Sequence, residues 1–191
     1  EHVVVLMGSA AETTKEVVDY LNARGGKTGM VNVHLYRPFS VEHFLACLPT
    51  TTRRIAVLDR TKETGAVGEP LHQDICTVCK QNNLPIEVVG GRYGLSSKDT
   101  TPAQIQAVFT NLQQSSAKNN FTIGIVDDVT LTSLPALKEI DLSSPGQKNI
   151  IFWGLGSDGT VGANKNSIKI IGNTTDLYCQ AYFVYDSKKA G

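Results

Sequence analysis

The chain has 191 residues, 41% of them hydrophobic and 19% charged, which is the composition of a globular protein and excludes a disordered or fibrous one. Lys and Arg balance Asp and Glu to a formal net charge of +0, which argues against nonspecific nucleic-acid binding and leaves Lys188-Lys189 as a local basic patch. No apolar run is long enough to cross a bilayer.

The opening residues Glu1-His2-Val3-Val4-Val5-Leu6-Met7 lack the charged lead and cleavage site of a signal peptide. Val3 to Met7 has the unbroken apolar pattern of a buried strand. Gly8-Ser9-Ala10 turns the chain into a helix over 10–24, stopped by Gly25-Gly26 acting as a C-terminal cap. Met30 to Leu35 reads as the second strand, broken at Arg37-Pro38-Phe39-Ser40. Ser40 is placed to cap a helix over 41–48. Arg54 to Asp59 is the third strand. A loop with Gly65, Gly68 and Pro70 leads to a helix over 71–81, and Ile86 to Val89 forms a fourth strand. Thr101-Pro102, a cap followed by proline at the first helical position, starts a helix over 103–112. This alternation predicts an α/β domain with a parallel sheet covered on both faces.

Residues 113–120 are polar, and Phe121 to Val126 is a short apolar segment. Thr130 to Lys148, with Pro135, Ser143, Ser144, Pro145 and Gly146, has a linker composition, so 116–148 is expected to join two domains. A second alternating unit is expected from Asn149. The strand-like Asn149-Ile150-Ile151-Phe152-Trp153 runs into Gly154-Leu155-Gly156-Ser157-Asp158-Gly159-Thr160-Val161-Gly162, and a helix follows over 163–171. Glycines so spaced let backbone approach a ligand, and the N–H groups at a helix start favour a phosphate. A tight turn with no ligand is the alternative. A complete doubly wound domain needs on the order of 100 residues, so the chain is expected to end inside this second domain.

Four cysteines stand at Cys47, Cys76, Cys79 and Cys179. Leu71, Ile75, Cys76 and Cys79 repeat at helical spacing, which makes the Cys76-x-x-Cys79 pair a pair of core thiols rather than a redox dithiol or half a metal site. Reduced thiols suit an intracellular protein. Arg37 ends a strand, where open sheets contact ligands, but an ion pair with a loop acid is the simpler use, with Asp59-Arg60 as the partner region. Lys62, Glu63 and Arg92 belong to the same rim, suited to subunit or domain contact. Adjacent Asp127-Asp128 suits capping better than metal binding. His34, His43 and His72 have no His or Cys at ligand spacing and read as structural. A nicotinamide site at the late glycine loop lacks its ribose-binding acid: Asp176 precedes an apolar stretch and Asp186 falls late.

The segment Val33-His34-Leu35-Tyr36-Arg37-Pro38-Phe39-Ser40, with Ile55-Ala56-Val57-Leu58-Asp59-Arg60, resembles the C-terminal domain of transketolase-like, thiamine-dependent enzymes. More specifically, four stretches resemble the pyruvate:ferredoxin (flavodoxin) oxidoreductase family. They are Leu58-Asp59-Arg60-Thr61-Lys62-Glu63, Gly91-Arg92-Tyr93-Gly94-Leu95, Gly124-Ile125-Val126-Asp127-Asp128-Val129-Thr130, and Phe152 through Lys165. Tyr185-Asp186-Ser187-Lys188-Lys189 continues the match. The resemblance implies a transketolase C-terminal-like domain over 1–115, a linker over 116–148 and the start of a gamma-type, coenzyme A-associated domain over 149–191. It implies a parent that oxidatively decarboxylates pyruvate with thiamine diphosphate and magnesium, passes electrons through iron–sulfur clusters to ferredoxin or flavodoxin, and forms acetyl-CoA. It also implies a homodimeric parent in the cytoplasm or an anaerobic organelle.

On that resemblance the coenzyme A contacts are Gly154, Gly156, Ser157, Gly159, Lys188 and Lys189, with cations and backbone donors for the cofactor's phosphates. No catalytic or metal residue is expected. Ser157-Asp158-Gly159 is a near miss of the family's magnesium-binding Gly-Asp-Gly, and Asn173-Thr174 is not its Asn-Asn pair. The stretch alone is expected to be inactive. Three alternatives stay open: a noncatalytic assembly module, a pyruvate:NADP oxidoreductase fusion, and a sulfite-reductase subunit carrying this region.

Overall fold

A computed structural model describes residues 1–185. The chain forms two units, Glu1–Leu142 and a second beginning at Ser143. In unit 1, strands β1 (His2–Leu6), β2 (Thr28–Asn32), β3 (Arg54–Asp59), β4 (Glu87–Arg92) and β5 (Phe121–Thr122) make one sheet in the order β2-β1-β3-β4-β5. Every neighbouring pair is parallel. Helices α1 (Ala11–Asn22), α2 (Val41–Cys47), α3 (Pro70–Gln81) and α4 (Pro102–Gln113) connect the strands. The expected α/β fold is present.

The alternation of side chains along each strand builds two cores. Val3, Val5, Ile55 and Val57 pack on one face against Phe44 of α2 and Leu71, Ile75, Val78 and Cys79 of α3. Val4, Leu6, Ala56 and Leu58 face the other way, onto Val17 and Val18 of α1 and Ile105, Val108, Phe109 and Leu112 of α4. This is why β1 and β3 read as continuous apolar runs: a strand covered on both faces has no wet side. Each buried Val, Ile or Leu contributes about 1.5–3 kcal/mol of transfer free energy.

The helix ends follow the local signals. Gly25 takes φ +84° and the Gly26 N–H donates to Leu21 O at 2.9 Å, closing α1. The Ser40 hydroxyl accepts the His43 N–H at 3.4 Å. Pro102 starts α4, and Gln104 Oε1 accepts the Thr101 N–H at 3.3 Å.

Four expectations are corrected. Strand β2 stops at Asn32 instead of Leu35, because its partner β1 ends at Leu6 and the chain then turns at Gly8 with φ +85°. Strand β4 continues through Gly90-Gly91 to Arg92. The two glycines clear space on both faces of the sheet: a Cβ on Gly90 would lie 2.8 Å from the His72 ring, and one on Gly91 would overlap the Phe121 ring. The expected linker 116–148 is divided. Phe121 is fully buried and pairs with Gly91 as β5, and Leu134, Ile140 and Leu142 pack against the core, so this stretch belongs to unit 1 as far as Leu142. Finally, 149–153 forms no strand. Among the described residues after Leu142 there is one helix, α5 (Thr160–Thr174), and no strand; Ile151 and Trp153 are 75% and 88% exposed. A strand needs a ladder partner, and 149–153 finds none here.

Candidate functional site

The strand order reverses between β1 and β3, so the crevice beyond their carboxyl ends is where an open parallel sheet admits a ligand. Here the protein's own side chains bridge it. The buried Tyr93 donates its hydroxyl to Met7 O at 2.7 Å. Arg60 donates from Nε to Gly94 O and from Nη1 to Ser9 Oγ, both at 3.1 Å. Burial raises the Tyr93 pKa, so the hydroxyl stays protonated and remains a donor.

Beside the crevice, Asp59 ends β3 and is 1% exposed. Its Oδ1 accepts the Leu71 N–H at 3.0 Å and its Oδ2 the His72 N–H at 3.1 Å, so a carboxylate from the sheet caps α3. Burial pushes the Asp59 pKa up, and those two N–H bonds pull against it. Glu69 Oε2 accepts the Glu63 N–H at 2.6 Å, while Oε1 pairs with Arg92 Nη1 at 3.2 Å. Arg92 Nη2 donates to Asn120 O at 2.9 Å. This buried pair ties the β3–α3 loop to β4 and to the entry of β5. Arg37 pairs with Asp74 on α3 at 2.8 Å, not with the Asp59 region, because Asp59 is spent on the α3 amides. Its guanidinium also lies 3.7 Å above the Tyr36 ring.

The histidines are held structurally, with one correction. His72 does have a thiol at helical i,i+4 spacing: Cys76 Sγ lies 3.3 Å from His72 Nε2. Burial lowers the His72 pKa and raises those of Cys76 and Cys79, so a neutral imidazole meets protonated thiols, and neither cysteine has thiolate character. His34 bonds to Asn32 at 2.9 Å and His43 to Ser40 at 2.6 Å. Among the described residues no group of three or more His, Cys, Asp or Glu side chains is arranged to hold a metal. Asp127 closes a turn, accepting the N–H groups of Val129, Thr130 and Thr132 and the hydroxyls of Thr130 and Thr132. Those donors hold its carboxyl far below the usual range. Capping is therefore its use.

In the late glycine loop, Asp158 occupies the place of an anion. Its Oδ2 accepts the Leu155 N–H at 2.9 Å, and its Oδ1 accepts the Thr160 N–H at 2.9 Å and the Thr160 hydroxyl at 2.6 Å. These donors lower its pKa to about 2. Gly156 and Gly159 take φ +60° and +87°, and a Cβ on Gly154 would sit 2.5 Å from Thr160 Oγ1. The turn itself therefore explains these three glycines. An α-helix has no internal acceptor for its first N–H groups; in α5 the Thr160 N–H is taken by Asp158 and the Ala163 N–H by Gly159 O. Ser157 is exposed at the tip, and Lys188 and Lys189 lie outside the described residues.

A family profile described as "Pyruvate:ferredoxin oxidoreductase core domain II" matches residues 1–105, from β1 into α4. The chain belongs to the pyruvate:ferredoxin oxidoreductase family. It is 58% identical over 191 residues to a pyruvate:ferredoxin oxidoreductase of Moorella thermoacetica, covering 100% of this chain and 16% of that protein. It is 57% identical over 195 residues to a pyruvate-flavodoxin oxidoreductase of Trichormus variabilis, again 100% and 16%. A probable pyruvate-flavodoxin oxidoreductase of Escherichia coli is 54% identical over 198 residues, with 100% and 17% covered. The chain thus spans about one sixth of the length of these relatives. The family stretch Gly91 to Leu95 owes its glycines and Tyr93 to packing and to the Met7 contact. Its Asp59 and Arg92 belong to the buried polar network under the rim. Sequence reasoning missed Glu69, the acid joining these elements; its place directly before the proline that starts α3 was the available signal.

Proposed function

We propose that these residues are a stretch of a thiamine-dependent pyruvate:ferredoxin or pyruvate:flavodoxin oxidoreductase, which decarboxylates pyruvate, forms acetyl-CoA and passes electrons to the carrier protein. The observation that carries this reading is the match of all 191 residues, at 58% identity, within a pyruvate:ferredoxin oxidoreductase. In it, unit 1 is a scaffold of transketolase C-terminal type that positions neighbouring catalytic domains. The stretch after residue 148 opens a coenzyme A-associated domain, in which 149–153 pairs with strands from elsewhere in a homodimeric parent. Alone, the stretch is inactive.

The described residues do not suit the thiamine–magnesium group or an iron–sulfur cluster. Asp158 is engaged by Leu155 and Thr160, Cys79 is buried while Cys47 is exposed, and no metal-holding cluster exists among the described residues. For coenzyme A, the proposed contacts are Gly154, Gly156, Ser157 and Gly159 with Lys188 and Lys189. The exposed loop at the start of α5 supports this assignment, whereas the Asp158 carboxylate, which already takes the Leu155 and Thr160 amides, opposes a phosphate there. That opposition favours a second reading, an assembly module without a ligand of its own. In the full-length enzyme, Lys188→Ala with Lys189→Ala is expected to raise the KM for coenzyme A by about tenfold with kcat little changed, as for lost ground-state binding. An unchanged KM selects the assembly module.

A further inference from the structure

Unit 1 exposes its large hydrophobic side chains very unevenly. Among the described residues there are six: Leu35, Val41, Val67, Val126, Val129 and Leu131. Leu35 and Val41 lie in and just after the connection leaving β2, Val67 in the connection leaving β3, and the other three in the turn that leaves β5. None lies in the connections that enter strands, 23–27, 48–53, 82–86 and 114–120. At that end a cavity of about 560 Å³ is lined by Glu1, Thr50, Thr51, Thr52, Arg53 and Pro85.

The loop bearing Val67, 87% exposed, is held from inside by the two buried carboxylates already described. Asp59 fixes the start of α3, and Glu69 fixes the Glu63 amide and Arg92. A loop fixed by buried ionic contacts that presents an unpartnered valine is built to meet a surface. The charges beside it are mixed, with Arg60 and Lys62 against Glu63, which does not suit an anionic polymer or a lipid headgroup layer. The relatives carry more than four fifths of their length outside this stretch. A segment of the same polypeptide therefore meets the rim at far higher effective concentration than a separate molecule does.

We infer that the connections leaving β2, β3 and β5 form the docking face of unit 1, covered in the full-length enzyme by another domain of the same polypeptide. This rests on the proposed place of the chain within a longer oxidoreductase.

The test uses single cysteines in the full-length enzyme: Val67→Cys and Val126→Cys on the rim, and Thr51→Cys and Ser116→Cys at the opposite end. N-ethylmaleimide labelling of each engineered position is followed by peptide mass spectrometry. The rim positions are expected to react at least about tenfold more slowly than the other two, independent of enzyme concentration, as for surface covered within the native fold. Equal rates at the two ends overturn the proposal. Rim protection that disappears on dilution also overturns it, because a second copy is then the cover. Pyruvate-dependent turnover of the unlabelled enzyme is scored separately, so loss of the functional reading is distinguished from loss of the docking face.

Discussion

In unit 1, Val3 to Leu6 and Ile55 to Leu58 are at most 3% exposed, whereas α5 of unit 2 buries no residue and Trp153 before it stays 88% exposed. Both units use the same local signals, a glycine turn followed by an amphipathic helix. In unit 1 each helix lies on a sheet that its own chain supplies. In unit 2 the helix forms, because α-helical hydrogen bonds are internal, but the strand-like 149–153 does not pair, because a strand depends on its neighbour. The glycines differ in the same way. Gly90 and Gly91 make room for His72 and Phe121, while Gly156 and Gly159 take the left-handed conformation that their turn requires and meet no neighbouring side chain.

The largest expected effect tests that contrast directly. Phe121→Ala empties a fully buried site on β5 and is expected to destabilise unit 1 by about 3–5 kcal/mol, read from the urea midpoint. Ile151→Ala, at an exposed site in unit 2, is expected to stay within about 0.5 kcal/mol. Comparable losses would mean that unit 2 has a core of its own. Next in size, Gly91→Ala forces a methyl into the Phe121 ring and is expected to cost about 1–3 kcal/mol. Gly162→Ala in α5 meets nothing within 4 Å and is expected to stabilise that helix by about 0.4–1 kcal/mol, read by circular dichroism on heating.

Most of unit 1 was legible in the sequence because its signals are local. Buried strands announce themselves by unbroken Val and Ile, and helix ends by Ser40, Pro102 and Gly25. What was not legible depends on distant partners. Phe121 reads as linker until Gly91 is seen to hold its ring, and the end of β2 is set by where β1 stops. Arg37 was recognised as an ion-pair residue but given the wrong acid, since Asp74 reaches it only through the placing of α3. At the late loop, glycine spacing is shared by phosphate cradles and tight turns. Only the three hydrogen bonds accepted by Asp158 show how far the turn alone accounts for it.

The smallest expected effect sets two aspartates from the two units against each other. Asp59 is buried, and its folded pKa lies above the ordinary 3.8, chiefly from desolvation. The folded state therefore binds more protons than the unfolded chain between 3.8 and that raised value, and its contribution makes unit 1 less stable as pH rises through this window. Asp158 is exposed and lowered to about 2 by the hydroxyl and amide of Thr160 and the amide of Leu155. Its contribution is present above 3.8 and is lost as pH falls towards about 2. Carboxyl-carbon NMR titration is expected to place the two midpoints on opposite sides of 3.8. In parallel, the stability of Asp59→Asn relative to wild type, followed by urea midpoint, is expected to be highest near neutral pH and to decline on acidification, because the amide is never ionised while the buried carboxylate of the wild type regains its proton. A relative stability that instead rises in acid would show that the Leu71 and His72 amides outweigh burial, and Asp59 would then behave as Asp158 does, a carboxylate stabilised as an anion at the start of a helix.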